Sequence, residues 1–196
     1  MRLLIRRLNF YIKELVYRNI EGKKVLILFI LTNLVYVFML LVSIPKVLSF
    51  SGGMKLFDLM PTGYEPEYAR ALLEKLGAAG RNAYLFNQIP VDLIYPSLFG
   101  ISYCLLLAYL LNRLNSLKAE YFYLCLLPPL AGLFDYLENL GIINMLVSYP
   151  HLSAAAIQIT AFFTVFKSLL STISFCILIV VLVMFGVKKL LQKNDG

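Results

Sequence analysis

Asp135, Glu138 and Asn139 occur as Asp-Tyr-Leu-Glu-Asn inside the otherwise apolar stretch from Tyr121 to Val147. Positions i, i+3 and i+4 project from one helix face, so the three side chains form a single polar stripe. Ionisable groups are costly in a bilayer, and such a stripe is by default a candidate site. Two carboxylates one turn apart suit the holding of a proton or a cation, and paired carboxylates can also serve as general acid and base. The catalytic use needs partners that the chain does not offer. His151 is the only histidine and follows Tyr149-Pro150 in a link, where a lone imidazole is no metal shell. No nucleophile elbow, HExxH motif or phosphate-binding glycine loop is present. No metal or cofactor is therefore expected, and an intramembrane lipid-modifying enzyme ranks last among the functional readings.

The elements that must position the stripe follow from composition. Of 196 residues, 60% are hydrophobic and only 15% charged, and the mean hydropathy is +0.79, which leaves too little polar surface for a soluble domain of this size. Crossing a bilayer takes about 20 predominantly apolar residues. Four runs meet that length: Val25 to Ile44, Val91 to Leu111, Tyr121 to Val147 and Ala161 to Val187. The first is too long for a signal-peptide core and has no small-residue cleavage site after it, so it reads as a retained span. Cys104, Cys125 and Cys176 are isolated within these spans, which excludes a CxxC pair or a zinc framework.

Orientation follows from the basic residues. Arg2, Arg6, Arg7, Lys13, Arg18, Lys23 and Lys24 precede span one; Arg113 and Lys118 lie between spans two and three; Lys188, Lys189 and Lys193 follow span four. The short link between spans three and four has none, and the longer link between spans one and two offsets its basic residues with acidic ones. The positive-inside rule then places both termini in the cytoplasm, in a plasma membrane or a bacterial inner membrane. The net charge of +7 is thus topological, and a nucleic-acid partner is not expected, because aromatic platforms on an exposed basic module are missing. In residues 1–22, Leu4, Ile5, Leu8, Tyr11, Ile12, Leu15 and Val16 share one helical arc, opposite Arg2, Arg6, Lys13 and Glu14. That is an interfacial helix whose basic face suits anionic lipids, with Glu21 and Gly22 at the bend into span one.

Residues 49–90 form an extracytoplasmic cap. Glu65, Pro66 and Glu67 open a helix that Gly77 should stop. A second helix should run from about Ala78 into span two, bending at Pro90 and Pro96, while Pro128 and Pro129 should kink span three. Gly132 and Gly141 offer close helix approach around the stripe. Asp58 and Arg81 are opposite charges placed to brace the cap against each other.

Phe57-Asp58-Leu-Met-Pro61-Thr-Gly63-Tyr64, Leu76-Gly77-Ala-Ala-Gly80-Arg81-Asn-Ala-Tyr84, Asp92 with Pro96, and Leu137-Glu138-Asn139 together resemble a pattern of short four-span bacterial membrane proteins without an assigned activity. The resemblance covers most of the chain after span one. It implies a shared fold and outer surface and gives no residue a catalytic role. That pattern often has Ser where this chain has Glu65, which puts a side-chain N-cap there in doubt.

The expected protein is a single all-α membrane domain: a four-transmembrane-helix antiparallel bundle with an amphipathic N-terminal helix and a small extracytoplasmic helical cap. At 1.5 Å per residue, Glu138 lies about 4.5 Å outward of Asp135, near mid-span. Lys167 and Asp92 reach the same layer from spans four and two, and Asn33 approaches it more loosely from span one. Asp92, Asp135, Glu138, Asn139 and Lys167, with Tyr95 or Tyr136, would then line an outward-facing cavity for a proton, a cation or a small amphiphile. The competing expectation is a non-catalytic interaction or assembly protein, which a homo-oligomer would suit, whose polar groups only fix helix packing.

Overall fold

The computed structural model describes residues 2–117 and 119–194. Lys118 and the side chains of Arg2, Leu4, Ile5, Arg6, Leu8 and Lys193 lie outside the described residues, so that part of the basic pattern and of the amphipathic arc does too. The described chain is all-helical, with no strand. Four segments, Gly22–Leu48, Pro66–Arg113, Glu120–Ser148 and Ala154–Gln192, are long and apolar enough to cross a membrane.

Helix α1, Arg2–Asn19, ends at a two-residue break before α2, Gly22–Phe38. Val16 of α1 is buried and Ile12 half-buried against the bundle end, while Tyr11 and Leu15 are exposed. The Tyr17 hydroxyl donates to the Leu117 carbonyl at 3.0 Å, and Lys13 lies 5.4 Å from the Phe122 ring centroid. The apolar arc is therefore shared between protein and surroundings.

Two π-helical turns shape the region around the polar stripe. Met39–Ser43 joins α2 to α3, Ile44–Leu48, and Tyr84–Gln88 joins α4, Pro66–Ala83, to α5, Ile89–Arg113. Each turn ends two residues before a proline, Pro45 or Pro90. A proline ring collides with the carbonyl four residues earlier, here Leu41 or Phe86, and a π-turn opens the helix at that point. Within α4, Gly77 takes φ 60°, ψ −175° and breaks the helix; a side chain there would cost about 1–3 kcal/mol. The stop expected at Gly77 is thus a kink in a segment whose helical hydrogen bonding resumes. Glu65 makes no side-chain cap.

At Pro128 and Pro129 the third long segment departs from α-helical form just before the prolines and not at them. A 3₁₀ turn, Tyr123–Leu126, follows the short α6, Ala119–Phe122, and the prolines sit in the first turn of α7, Leu127–Ser148. There the missing amide protons would have had no intrahelical acceptor. The last helix, α8, Ala154–Asn194, has 41 residues, about 60 Å at 1.5 Å per residue, well beyond a bilayer core of about 30 Å.

Two apolar clusters hold these helices. One joins Met39, Ile89, Ile142 and Ile157 to the cap residues Phe57, Leu72, Leu73 and Tyr84. The other gathers Val25, Phe99, Leu107, Ala131 and Leu178. Each of α2, α5, α7 and α8 gives residues to one of the clusters near one end and, directly or through the segment that continues it, to the other further on. Glycines set the closest approaches. A Cβ on Gly132 would lie 2.6 Å from the Pro96 carbonyl oxygen, one on Gly100 3.1 Å from Pro129 Cα, and one on Gly141 would run into Thr160 of α8. The polar layer lies between the two clusters, where α5, α7 and α8 come together.

Candidate functional site

From α7, Asp135, Glu138 and Asn139 project into the contact with α5 and α8, and all three are buried. Lys167 of α8 places its Nζ 3.0 Å from Asp135 Oδ1 and pairs also with Glu138 Oε2. The Thr164 hydroxyl, one turn earlier on the same helix face, donates to Glu138 Oε1 at 2.8 Å. One ammonium and one hydroxyl thus serve two carboxylates that have left water. Asn139 has a different task. Pro96 has no amide proton for the carbonyl of Asp92 four residues earlier, and Asn139 Nδ2 donates to that oxygen at 3.2 Å. It closes a backbone defect that lies buried between helices, out of reach of water.

Asp92 differs from the paired carboxylates. It is 3% exposed, and its Oδ2 has no hydrogen-bond partner. Gln88 is fully buried; its Oε1 accepts the Ser43 hydroxyl at 2.6 Å, locking the two π-turns together, while its Nε2 has no partner. In either orientation of the amide, one polar atom is left over. Asp58, in the 3₁₀ turn Phe57–Leu59, accepts the Tyr84 hydroxyl on Oδ2 at 2.9 Å and leaves Oδ1 unpartnered. Asp58, Gln88 and Asp92 all line one cavity of about 210 Å³, together with Asp135 and Lys167. Burying an unpartnered polar group costs about 1–3 kcal/mol by mutational measure. All three belong to residues that line one cavity, which concentrates this cost beside it.

The expected set is therefore divided by the structure. Asp92, Asp135 and Lys167 line the cavity; Glu138 and Asn139 are fully buried outside its lining. Tyr95 lines it, whereas the Tyr136 hydroxyl bonds to Ser97. Asn33 is not in the layer: its amide donates to Phe29 within α2 and its oxygen accepts from Tyr103. The Asp58–Arg81 brace does not form. Asp58 turns inward to Tyr84, while Arg81 donates to the Leu73 carbonyl at 2.8 Å and stacks 4.1 Å from the Tyr149 ring centroid. Opposite sign brings no pairing where the backbone aims the two groups at different partners. Gln88, Ser168 and Ser171, which also line the cavity, are additions to the set. Gln88 had one sequence signal, an amide within an apolar run just before Pro90; the two serines had none.

Asp58 lies outside the four long apolar segments, and its carboxyl is pushed up from 3.8 to about 7 by burial first and by the negative charge of Glu138 second, with Lys167 opposing. Between those values the native protein binds more protons than the unfolded chain. The penalty of ionising Asp58 is absent below the lower value and complete above the upper one, so stability falls as pH rises through that window. The unfolding temperature is expected to drop between pH 5 and pH 8, and the drop should be smaller in Asp58→Asn. An equal drop in that variant would show that Asp58 carries none of it.

Comparison with protein-family models, with curated proteins and with solved structures gives no match for this chain. The meaning of the site rests on its geometry alone.

Proposed function

We propose that this is an integral membrane protein, a four-span antiparallel bundle with both termini in the cytoplasm, whose intramembrane acidic cavity binds a proton or a small cation. The membrane is a plasma membrane or a bacterial inner membrane, and the cavity lies in the outer half beneath the cap. Supporting the orientation, Lys24, Arg113, Lys188 and Lys189 fall at the ends of the long segments remote from the cap.

One observation carries the functional reading: Asp58 and Asp92, each with one unpartnered carboxyl oxygen, line a shared cavity, and Lys167, the only lining ammonium among the described residues, is already engaged by Asp135 and Glu138. Once ionised, an uncompensated carboxyl pair with low-dielectric walls attracts positive charge. The assembly reading keeps one specific support, the bonds of Glu138, Thr164 and Asn139 across helices. We take those residues as the frame and Asp58, Gln88 and Asp92 as the site.

The test uses a cysteine at Ser171, in the cavity wall, with the exposed Cys176 replaced by Ser. A cationic aminoethyl thiosulfonate should label it at least tenfold faster than the anionic sulfonatoethyl reagent, after normalisation to a cysteine at the exposed Glu74. Equal rates, or preference for the anion, would refute the cation site. The Glu74 reference also reports topology, since it should react from outside the cell with the impermeant anion; reaction only after permeabilisation would invert the orientation.

A further inference from the structure

The cavity is walled on one side by Tyr36, Met39 and Leu40, and on the other by Ser168, Ser171 and Phe175 of α8. Helix α2 packs chiefly on α5, and α8 chiefly on α7; between α2 and α8 there is at most marginal contact. The cavity thus extends to the seam between these two helices, where its lining includes Tyr36, Leu40 and Phe175. Three residues at it are large and only partly covered: Tyr36 is 41% exposed, Leu40 42% and Phe175 40%. Leu40 lies well inside Gly22–Leu48 and Phe175 near the centre of Ala154–Gln192. Exposed surface at the middle of a spanning helix meets hydrocarbon, not water. The mouth is apolar and aromatic, while Gln88, Asp92 and Asp135 lie deeper, so polarity increases inward.

Resting on the reading of the cavity as a cation site, we infer that its ligand is a long-chain primary amine, an amphiphile that enters sideways from the bilayer between α2 and α8. The ammonium meets Asp92 and Asp58, the Gln88 amide supplies a further hydrogen bond to the head group, and the chain stays between Leu40 and Phe175. Three features select this chemistry. A volume of about 210 Å³ suits a small head group; drug-sized ligands usually occupy about 300 Å³ or more. An anionic head group would face three lining carboxylates and a lysine that is already paired. A metal ion would need a convergent shell, and no three His, Cys, Asp or Glu side chains stand close enough for one among the described residues.

The experiment is equilibrium binding of radiolabelled dodecylamine to the full chain in lipid nanodiscs, with empty nanodiscs as background. Saturable binding of one dodecylamine per chain is expected, at least tenfold weaker in both Asp92→Asn and Asp58→Asn, each checked for an unchanged elution profile. Unlabelled dodecylamine should compete, whereas dodecanol and ethylamine at the same total concentration should displace less than a fifth. If ethylamine competes as well as dodecylamine, the site takes an ammonium from water; side entry is then wrong while the cation site stands. If dodecanol competes equally, the charge is not recognised and the amine assignment fails. No saturable binding, with cation-selective labelling of Ser171→Cys intact, overturns the amphiphile alone; no binding and no selectivity overturn both readings.

Discussion

Lys167→Met is expected to lower the unfolding free energy by about 3–5 kcal/mol, because it leaves two buried carboxylates facing each other without their shared counter-charge. Asp135 and Glu138 lie one turn apart, Lys167 contacts both, and Glu138 is fully buried. The cost arises from desolvation left uncompensated, not from the lost contacts of a side chain that Met fills in length. The triple variant Lys167→Met, Asp135→Asn, Glu138→Gln should recover most of the loss, since a neutral set has no charge to strand, and the amide oxygen that replaces the Glu138 carboxylate can still accept from Thr164. Unfolding in a denaturing detergent, followed by helical circular dichroism, reads both. A Lys167→Met protein as stable as the parent would mean that the lysine does not hold this layer together.

Asp92→Leu should move stability the other way, raising it by about 1–3 kcal/mol and the unfolding temperature by several degrees. The carboxylate is buried with Oδ2 unpartnered, and the cavity beside it has room for the larger side chain. Asn139 is not disturbed by the change, because it bonds to the backbone carbonyl of Asp92 and not to its side chain. A group kept for packing costs stability when it is removed; a group kept for a ligand often stabilises the empty protein when replaced. Opposite signs for Lys167→Met and Asp92→Leu in one assay are the expected signature of a frame and a site in the same polar layer. A loss of stability in Asp92→Leu comparable to that of Lys167→Met would make the whole layer structural.

Much of this was legible because apolar runs and prolines act locally. Each of the four apolar runs lies within one of the four long segments, although the second segment already begins at Pro66, well before its run at Val91, and the fixed rise per residue sets Lys167 at the depth of the Asp-Tyr-Leu-Glu-Asn stripe. Thr164 stands three residues before Lys167 on the same face, but a hydroxyl in an apolar helix carries no sequence signal that sets it apart from Thr160 or Ser168. The task of Asn139 needs two facts from different helices: Pro96 orphans the Asp92 carbonyl, and α7 passes close enough at Gly132 to supply a donor. Sequence contains the first and not the second. The paired π-turns depend on how Pro45 and Pro90 are accommodated, and a straight kink is an equally local solution, so Gln88 could not be aimed in advance. Asp58 and Arg81 failed for a related reason: charge predicts attraction at long range, while Tyr84, Leu73 and Tyr149 decide the partner at short range.

The proposed preference of the cavity for positive charge is assigned to Asp92. It is tested most directly by the ratio of cationic to anionic labelling of Ser171→Cys, measured with Asp92 intact and as Asp92→Asn. The ratio should fall at least fivefold toward that of the exposed reference at Glu74 when the carboxylate becomes an amide. A ratio that stays unchanged in Asp92→Asn would contradict the account.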